Sequence, residues 1–175
     1  MIEIGEILFD EKAIAVKVRE LAALVSRDYA GKELVLVSIL KGAVVFTADF
    51  MRLVDVPVTV DFICASSYGL SMESSREIRI KKDLDTDIRG KEVLLVDTIV
   101  DTGETLACLI KKLSERGPAS LRTVALLDKR SRRTVDVPIE YRGYEIPDQF
   151  VVGYGMDCGE RFRNLPYIAV VRQRQ

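Results

Sequence analysis

Four consecutive apolar residues, Val93 to Val96 (VLLV), constrain the fold of this chain more than any other segment. They show no alternation with polar residues, the pattern of a strand covered on both faces, as in parallel sheets. The run passes through DTIVDTGET into a stretch with Leu106, Leu109, Ile110 and Leu113 at helical spacing. Elsewhere the chain repeats that order. Asp10 can cap a helix whose inner face carries Ile14, Val18, Leu21, Ala22 and Val25, and Gly31 stands where a C-terminal cap belongs. Leu34 to Ile39 then reads as a strand, Val44 to Leu53 as a helix, and Val58 to Ala65 and Leu121 to Leu127 as further strands. Strand and helix in alternation predict an α/β domain with a mainly parallel central sheet flanked by helices. Ser66 to Ser75 (SSYGLSMESS) breaks the pattern. Its residues are mostly polar or small and lack periodicity, which predicts a long flexible connection before the alternating strand Glu77 to Lys82. Beyond DKRSRR the chain reads as short strands and loops, including Phe150 to Val152 and Ile168 to Val171.

The 175 residues fit one domain, 1–175, at a typical ~150 residues per domain. Lys and Arg total 26 against 27 Asp and Glu, a formal charge of −1. No global basic field draws in nucleic acid, and none is expected as a partner. No run approaches the ~18 apolar residues of a membrane span. The opening MIEIGEILFDEK lacks the basic and apolar regions of a secretory signal. The expectation is a cytoplasmic protein without a membrane partner. Three widely spaced cysteines, Cys64, Cys108 and Cys158, fit reduced thiols better than a disulfide framework. The chain has no histidine, which excludes Ser-His and Cys-His nucleophilic arrangements and disfavours catalytic zinc. Acid–base work falls to carboxylates, Lys, Tyr or Cys.

In parallel sheets, ligands sit outside the carboxyl ends of the strands. That rule directs attention to Lys41-Gly42, Asp97 to Thr105, Asp128-Lys129 and Gly153 to Gly159. The chain has no Walker-type phosphate loop, and Gly153, Gly155 and Gly159 are spaced one residue too widely for a dinucleotide fingerprint. Val93 to Leu106 carries more. An apolar strand delivers carboxylates at Asp97 and Asp101, Gly103 permits a tight turn, and the opening helix offers free amides to an anion. Thr102 and Thr105 add hydroxyls. Acidic groups beside a phosphate suggest a sugar hydroxyl or a hydrated Mg2+. Spacing alone equally allows a plain strand–loop–helix junction with Asp101 as the helix cap. By composition alone, Lys129 belongs to a solvated charge run, Phe150 to a core and Arg163 to a surface ion pair.

VLLVDTIVDTGETL resembles the phosphoribosyl-pyrophosphate motif of the type I phosphoribosyltransferases. LKGA at 40–43, SSY at 66–68, LLDKR at 126–130 and PDQFVVGYGMDCGERFRNLP at 147–166 narrow the resemblance to their hypoxanthine-guanine branch. The resemblance implies the type I phosphoribosyltransferase fold, with a flexible lid and a small C-terminal hood. It implies transfer of the 5-phosphoribosyl group from phosphoribosyl pyrophosphate to hypoxanthine or guanine, with Mg2+, in a homodimer or homotetramer. Position by position, Asp101 matches the acceptor of the purine N7 proton and Lys129 the residue that hydrogen-bonds the 6-oxo group. Phe150 matches the ring that stacks on the base, and Val151 supplies backbone contacts. Thr102, Gly103, Glu104 and Thr105 match the 5′-phosphate loop. Lys41 and Gly42, after a non-proline cis peptide at Leu40-Lys41, match the pyrophosphate loop, and Arg163 a further pyrophosphate contact. Asp97 and Asp157 match Mg2+-associated carboxylates, and Ser67 and Tyr68 the lid.

One pair departs from the family pattern. Asp97-Thr98 stand where the family usually carries two adjacent acidic residues that meet the ribose hydroxyls. Thr98 is accordingly expected to meet the ribose through a neutral hydroxyl, and a carboxylate restored there to strengthen the contact. The chemistry suits a chain without histidine, because a purine ring nitrogen is the nucleophile and one carboxylate suffices for its proton. Two rival readings share these residues. One is a transferase preferring xanthine. The other is a nucleotide- or RNA-binding regulator of the same fold with weak catalysis, supported by Thr98 and the basic patch Lys129 to Arg133.

Overall fold

The computed structural model describes residues 2–68 and 77–173. In chain order the elements are β1 (Ile2–Phe9), α1 (Glu11–Asp28), β2 (Leu34–Leu40), α2 (Val44–Met51), β3 (Val58–Tyr68) and β4 (Glu77–Lys82). They continue with β5 (Glu92–Val100), α3 (Glu104–Ser114), β6 (Ser120–Asp128), β7 (Tyr141–Glu145), β8 (Val151–Val152) and β9 (Ile168–Gln173). The larger sheet has the order β4-β3-β2-β5-β6-β7. Its neighbours pair in parallel except β4, which runs antiparallel to β3.

The two-residue period of the central strands builds a core on each face. Leu34, Leu36, Leu94 and Val96 pack with Ile14, Val18 and Leu21 of α1 and with Phe46 and Phe50 of α2. Val35, Val37, Val93 and Leu95 pack on the other face with Leu106, Leu109 and Leu113 of α3. Both faces are covered, which is why these strands read as unbroken apolar runs. The α1 start agrees with the sequence: the Asp10 carboxylate accepts from Ala13 N at 2.8 Å. Its end falls earlier than expected. Tyr29 is the cap, and Gly31 (φ +76°) lies in the turn beyond. Among the described residues, no helix is long and apolar enough to cross a membrane.

Two segments depart from expectation. Ser66, Ser67 and Tyr68 are not loop: β3 continues through them, opposite Arg79, Ile78 and Glu77 of β4. Ladder hydrogen bonds from the neighbouring strand hold a backbone that the polar composition left unassigned. The remainder of the expected lid, residues 69–75, lies outside the described residues. The hood is also not purely C-terminal. It is an antiparallel sheet ordered β1-β9-β8, with Ile4 opposite Val171 and Val151 opposite Val170.

Candidate active site

From β2 the chain moves outward to β3, and from β5 it moves outward to β6 in the opposite direction. A crevice therefore opens at the carboxyl ends of β2 and β5. It holds a cavity of about 320 Å3. Lys41-Gly42 reach it from β2, Asp101 from β5 and Lys129 from β6. The hood side contributes Phe150, Val151, Asp157 and Arg163.

At the end under the hood, Lys129 is no part of a solvated run. It is 4% exposed, and its Nζ lies 3.5 Å from Asp101 Oδ2. Its backbone N–H donates to Val100 O at 3.0 Å, tying the residue to the end of β5. Asp101 is not the helix cap. That position belongs to Gly103 (φ +88°), without a side-chain bond. A side chain at Gly103 would come within 2.8 Å of Val135 O, so the turn needs glycine. Phe150 is not core either. Its carbonyl accepts from Val171 N at 2.8 Å while the residue stays 54% exposed and lines the cavity. Val151 beside it is buried.

Next to the cavity, Thr102, Gly103, Glu104 and Thr105 form the turn and first residues of α3. The Thr102 hydroxyl accepts from Glu104 N at 3.4 Å, and the Glu104 carboxylate accepts from the Thr134 hydroxyl at 3.1 Å. The amino end of α3 there carries backbone amides suited to an anion. At the other end of the cavity, the Leu40-Lys41 peptide is cis. Lys41 Nζ lies 2.9 Å from Glu160 Oε2. Arg163 lies 2.8 Å from Asp157 Oδ1 and donates to Gly155 O at 2.8 Å. Both cations are thus faced by carboxylates that an anionic ligand would have to displace.

The adjacent residues Asp97 and Thr98 go separate ways. Thr98 is wholly buried, and its hydroxyl donates to Gly42 O at 3.0 Å. No surface of it remains for a ribose, contrary to expectation. The strand period could have indicated this, because position 98 shares the side of Leu94 and Val96. Asp97 keeps a partial opening. Burial among its neighbours nevertheless pushes its carboxyl up to about 7, against the pull of the Ile99 and Thr98 amides.

Two further residues, Arg132 and Asp148, join the site without a sequence signal that marks them. Arg132 Nε lies 2.9 Å from Asp101 Oδ1, and its Nη1 lies 3.2 Å from Asp148 Oδ1. No sequence signal says which arginine of DKRSRR folds back. Among the described residues, no three carboxylates or cysteines gather into a metal cluster. Separate carboxylates such as Asp97 and Asp157 suit a Mg2+ that arrives with substrate phosphates, an ion that keeps most of its ligands from water and phosphate.

A phosphoribosyl transferase domain model matches residues 5–158. A hypoxanthine phosphoribosyltransferase from Salmonella typhimurium is 49% identical over 168 residues, covering 95% of this chain and 94% of its own. A hypoxanthine-guanine phosphoribosyltransferase from Streptococcus thermophilus is 41% identical, covering 98% of this chain and 95% of its own. The crystal structure of a hypoxanthine-guanine phosphoribosyltransferase from Bacillus anthracis matches with a TM-score of 0.92 at 45% identity, covering 98% of this chain and 100% of that one.

Proposed function

We propose, for a chain that belongs to the phosphoribosyl transferase domain family, that it transfers the 5-phosphoribosyl group from phosphoribosyl pyrophosphate to hypoxanthine or guanine and releases pyrophosphate, a purine salvage reaction. One observation carries the choice of base: a buried ammonium, Lys129, stands 3.5 Å from a carboxylate, Asp101, in a cavity that the exposed Phe150 also lines. An oxopurine presents an acceptor at its 6-oxo group and a donor at N7–H side by side on one edge of the ring system. Lys129 supplies the matching donor and Asp101 the matching acceptor. Adenine would set its amino group against the lysine donors and leave a buried group unpaired, a strong ground for rejection.

The reaction follows from the same groups. The purine N9 attacks the anomeric carbon, the carbon–oxygen bond breaks, and its electron pair leaves with pyrophosphate. The N7 proton passes to Asp101. Lys41 and Arg163 exchange their carboxylate partners for oxygens of the leaving group. The amino end of α3 holds the 5′-phosphate. Mg2+ carried in with pyrophosphate would be held by Asp157 and Asp97 and would neutralise charge on the leaving group. Three cations of the basic run are engaged internally, Lys129 and Arg132 with Asp101 and Arg133 with Asp128, which speaks against an RNA surface there.

Steady-state assays with phosphoribosyl pyrophosphate and hypoxanthine, guanine, xanthine or adenine, with and without Mg2+, test the reading. Mg2+-dependent formation of IMP or GMP is expected, with no product from adenine. Absence of any nucleotide, or a preference for xanthine, would overturn it.

A further inference from the structure

We infer that Thr98 is a positioning residue for the pyrophosphate loop: its hydroxyl fixes the Gly42 carbonyl and so holds Lys41-Gly42 in the shape that receives the leaving group. This rests on the transferase reading above. Thr98 is 0% exposed, and its Oγ1 is 3.0 Å from Gly42 O, a bond that ties the end of β5 to the loop between β2 and α2. The same carbonyl is confined from the hood side. Gly155 (φ +94°) approaches so closely that a Cβ there would stand 2.2 Å from Gly42 O. The carbonyl thus sits between a donor from one element and bare backbone from another. Neighbouring loop groups are engaged as well: Ala43 N donates to Ile39 O at 3.1 Å and Val44 N to Lys41 O at 3.3 Å. Lys41, the cation this loop presents, precedes the fixed carbonyl by one residue.

The residue type matters. A carbonyl needs a donor, which a threonine hydroxyl provides and an ionised carboxylate does not. The acidic pair usual in the family would give position 98 no proton to offer. In this chain the two adjacent positions differ: Asp97 is only partly buried, and Thr98 is enclosed and faces the loop.

Thr98→Val keeps the shape and removes the donor, whereas Thr98→Ser keeps the donor and removes the methyl group. Calorimetry on the full chain with inorganic pyrophosphate plus Mg2+, and separately with IMP, gives the decisive comparison. Hydrogen exchange at residues 41–44 reports the loop directly. Thr98→Val should weaken pyrophosphate binding and raise KM for phosphoribosyl pyrophosphate about tenfold, the scale of one lost hydrogen bond. IMP affinity and KM for hypoxanthine should stay within about twofold. Loop exchange should quicken in the valine variant, and serine should behave as the wild type. Three results would overturn the inference: wild-type pyrophosphate affinity in the valine variant, a serine variant as impaired as valine, or equal losses for pyrophosphate and IMP. If Thr98→Val does not fold, Thr98→Ala against Thr98→Ser gives the same contrast. A wild-type chain that makes no nucleotide would defeat the transferase reading, while pyrophosphate affinity and loop exchange would still decide the role of the hydroxyl.

Discussion

Lys129 Nζ stands 3.5 Å from Asp101 Oδ2, with 5% of the lysine side chain exposed and 43% of the aspartate side chain. The pair is asymmetric in a useful way. The lysine is enclosed by protein and has few orientations open to it, while the carboxylate faces the cleft where a proton acceptor is needed. Lys129→Gln keeps a donor and removes the charge. KM for hypoxanthine should rise about tenfold, the difference between a charged and a neutral hydrogen bond. KM for phosphoribosyl pyrophosphate should not change. Initial rates varied in both substrates separate these constants, and equal rises would indicate general damage at the end of β6.

Thr98→Asp is expected to harm the protein, although the family pattern suggests the opposite. The new carboxylate would be enclosed at a wholly buried position, against the Gly42 carbonyl and next to Asp97. Buried without a partner, it destabilises the fold when ionised. The melting temperature should fall at pH 8, and the deficit should shrink towards pH 5 as the carboxyl takes up a proton that it can donate to Gly42. At pH 8, kcat/KM for phosphoribosyl pyrophosphate should drop about tenfold or more. A gain instead would mean that position 98 does meet the ribose.

Much of the architecture was legible because it depends on short-range periodicity. The α1 face and the VLLV strand follow from side-chain spacing, and both occur as expected. The pairing of β1 with β9 was not legible, because it joins opposite ends of the chain and only three-dimensional packing brings them together. Ser66 to Tyr68 look like loop by composition, yet the partner strand supplies their backbone bonds. In the site, the strand-end rule pointed to the segments of Asp101 and Lys129, and only the resemblance to the family gave those residues roles. Their closeness, and the turn of Thr98 towards the Gly42 carbonyl, depend on where strand ends fall. The Arg132 contact bridges Asp101 and Asp148, residues far apart in sequence, and spacing carries no trace of it.

Asp97 sets a pH dependence of stability. Its folded value is pushed up to about 7 by burial, whereas an unfolded aspartate titrates near ~3.9. Between those values the folded chain holds a proton that the unfolded chain has released. The stabilising contribution is fully present below the unfolded value and is lost as pH rises through 7. Asp97→Asn removes this dependence. Its melting temperature relative to wild type should rise progressively between about pH 4 and 8. Thermal melts across that range without ligand provide the check, and a constant offset would show that Asp97 is ionised throughout.

Single-turnover formation of IMP by Asp101→Asn tests the mechanism most directly. Gly103 rather than Asp101 caps α3, so the substitution leaves the helix start intact. Asparagine retains the size of the side chain and removes its capacity to take the N7 proton. The rate should fall by about 10²–10⁴, the usual worth of a positioned acid or base. IMP affinity, measured in parallel, should change far less. A rate within about threefold of wild type would contradict the mechanism, because the proton would then leave by a route that does not involve Asp101.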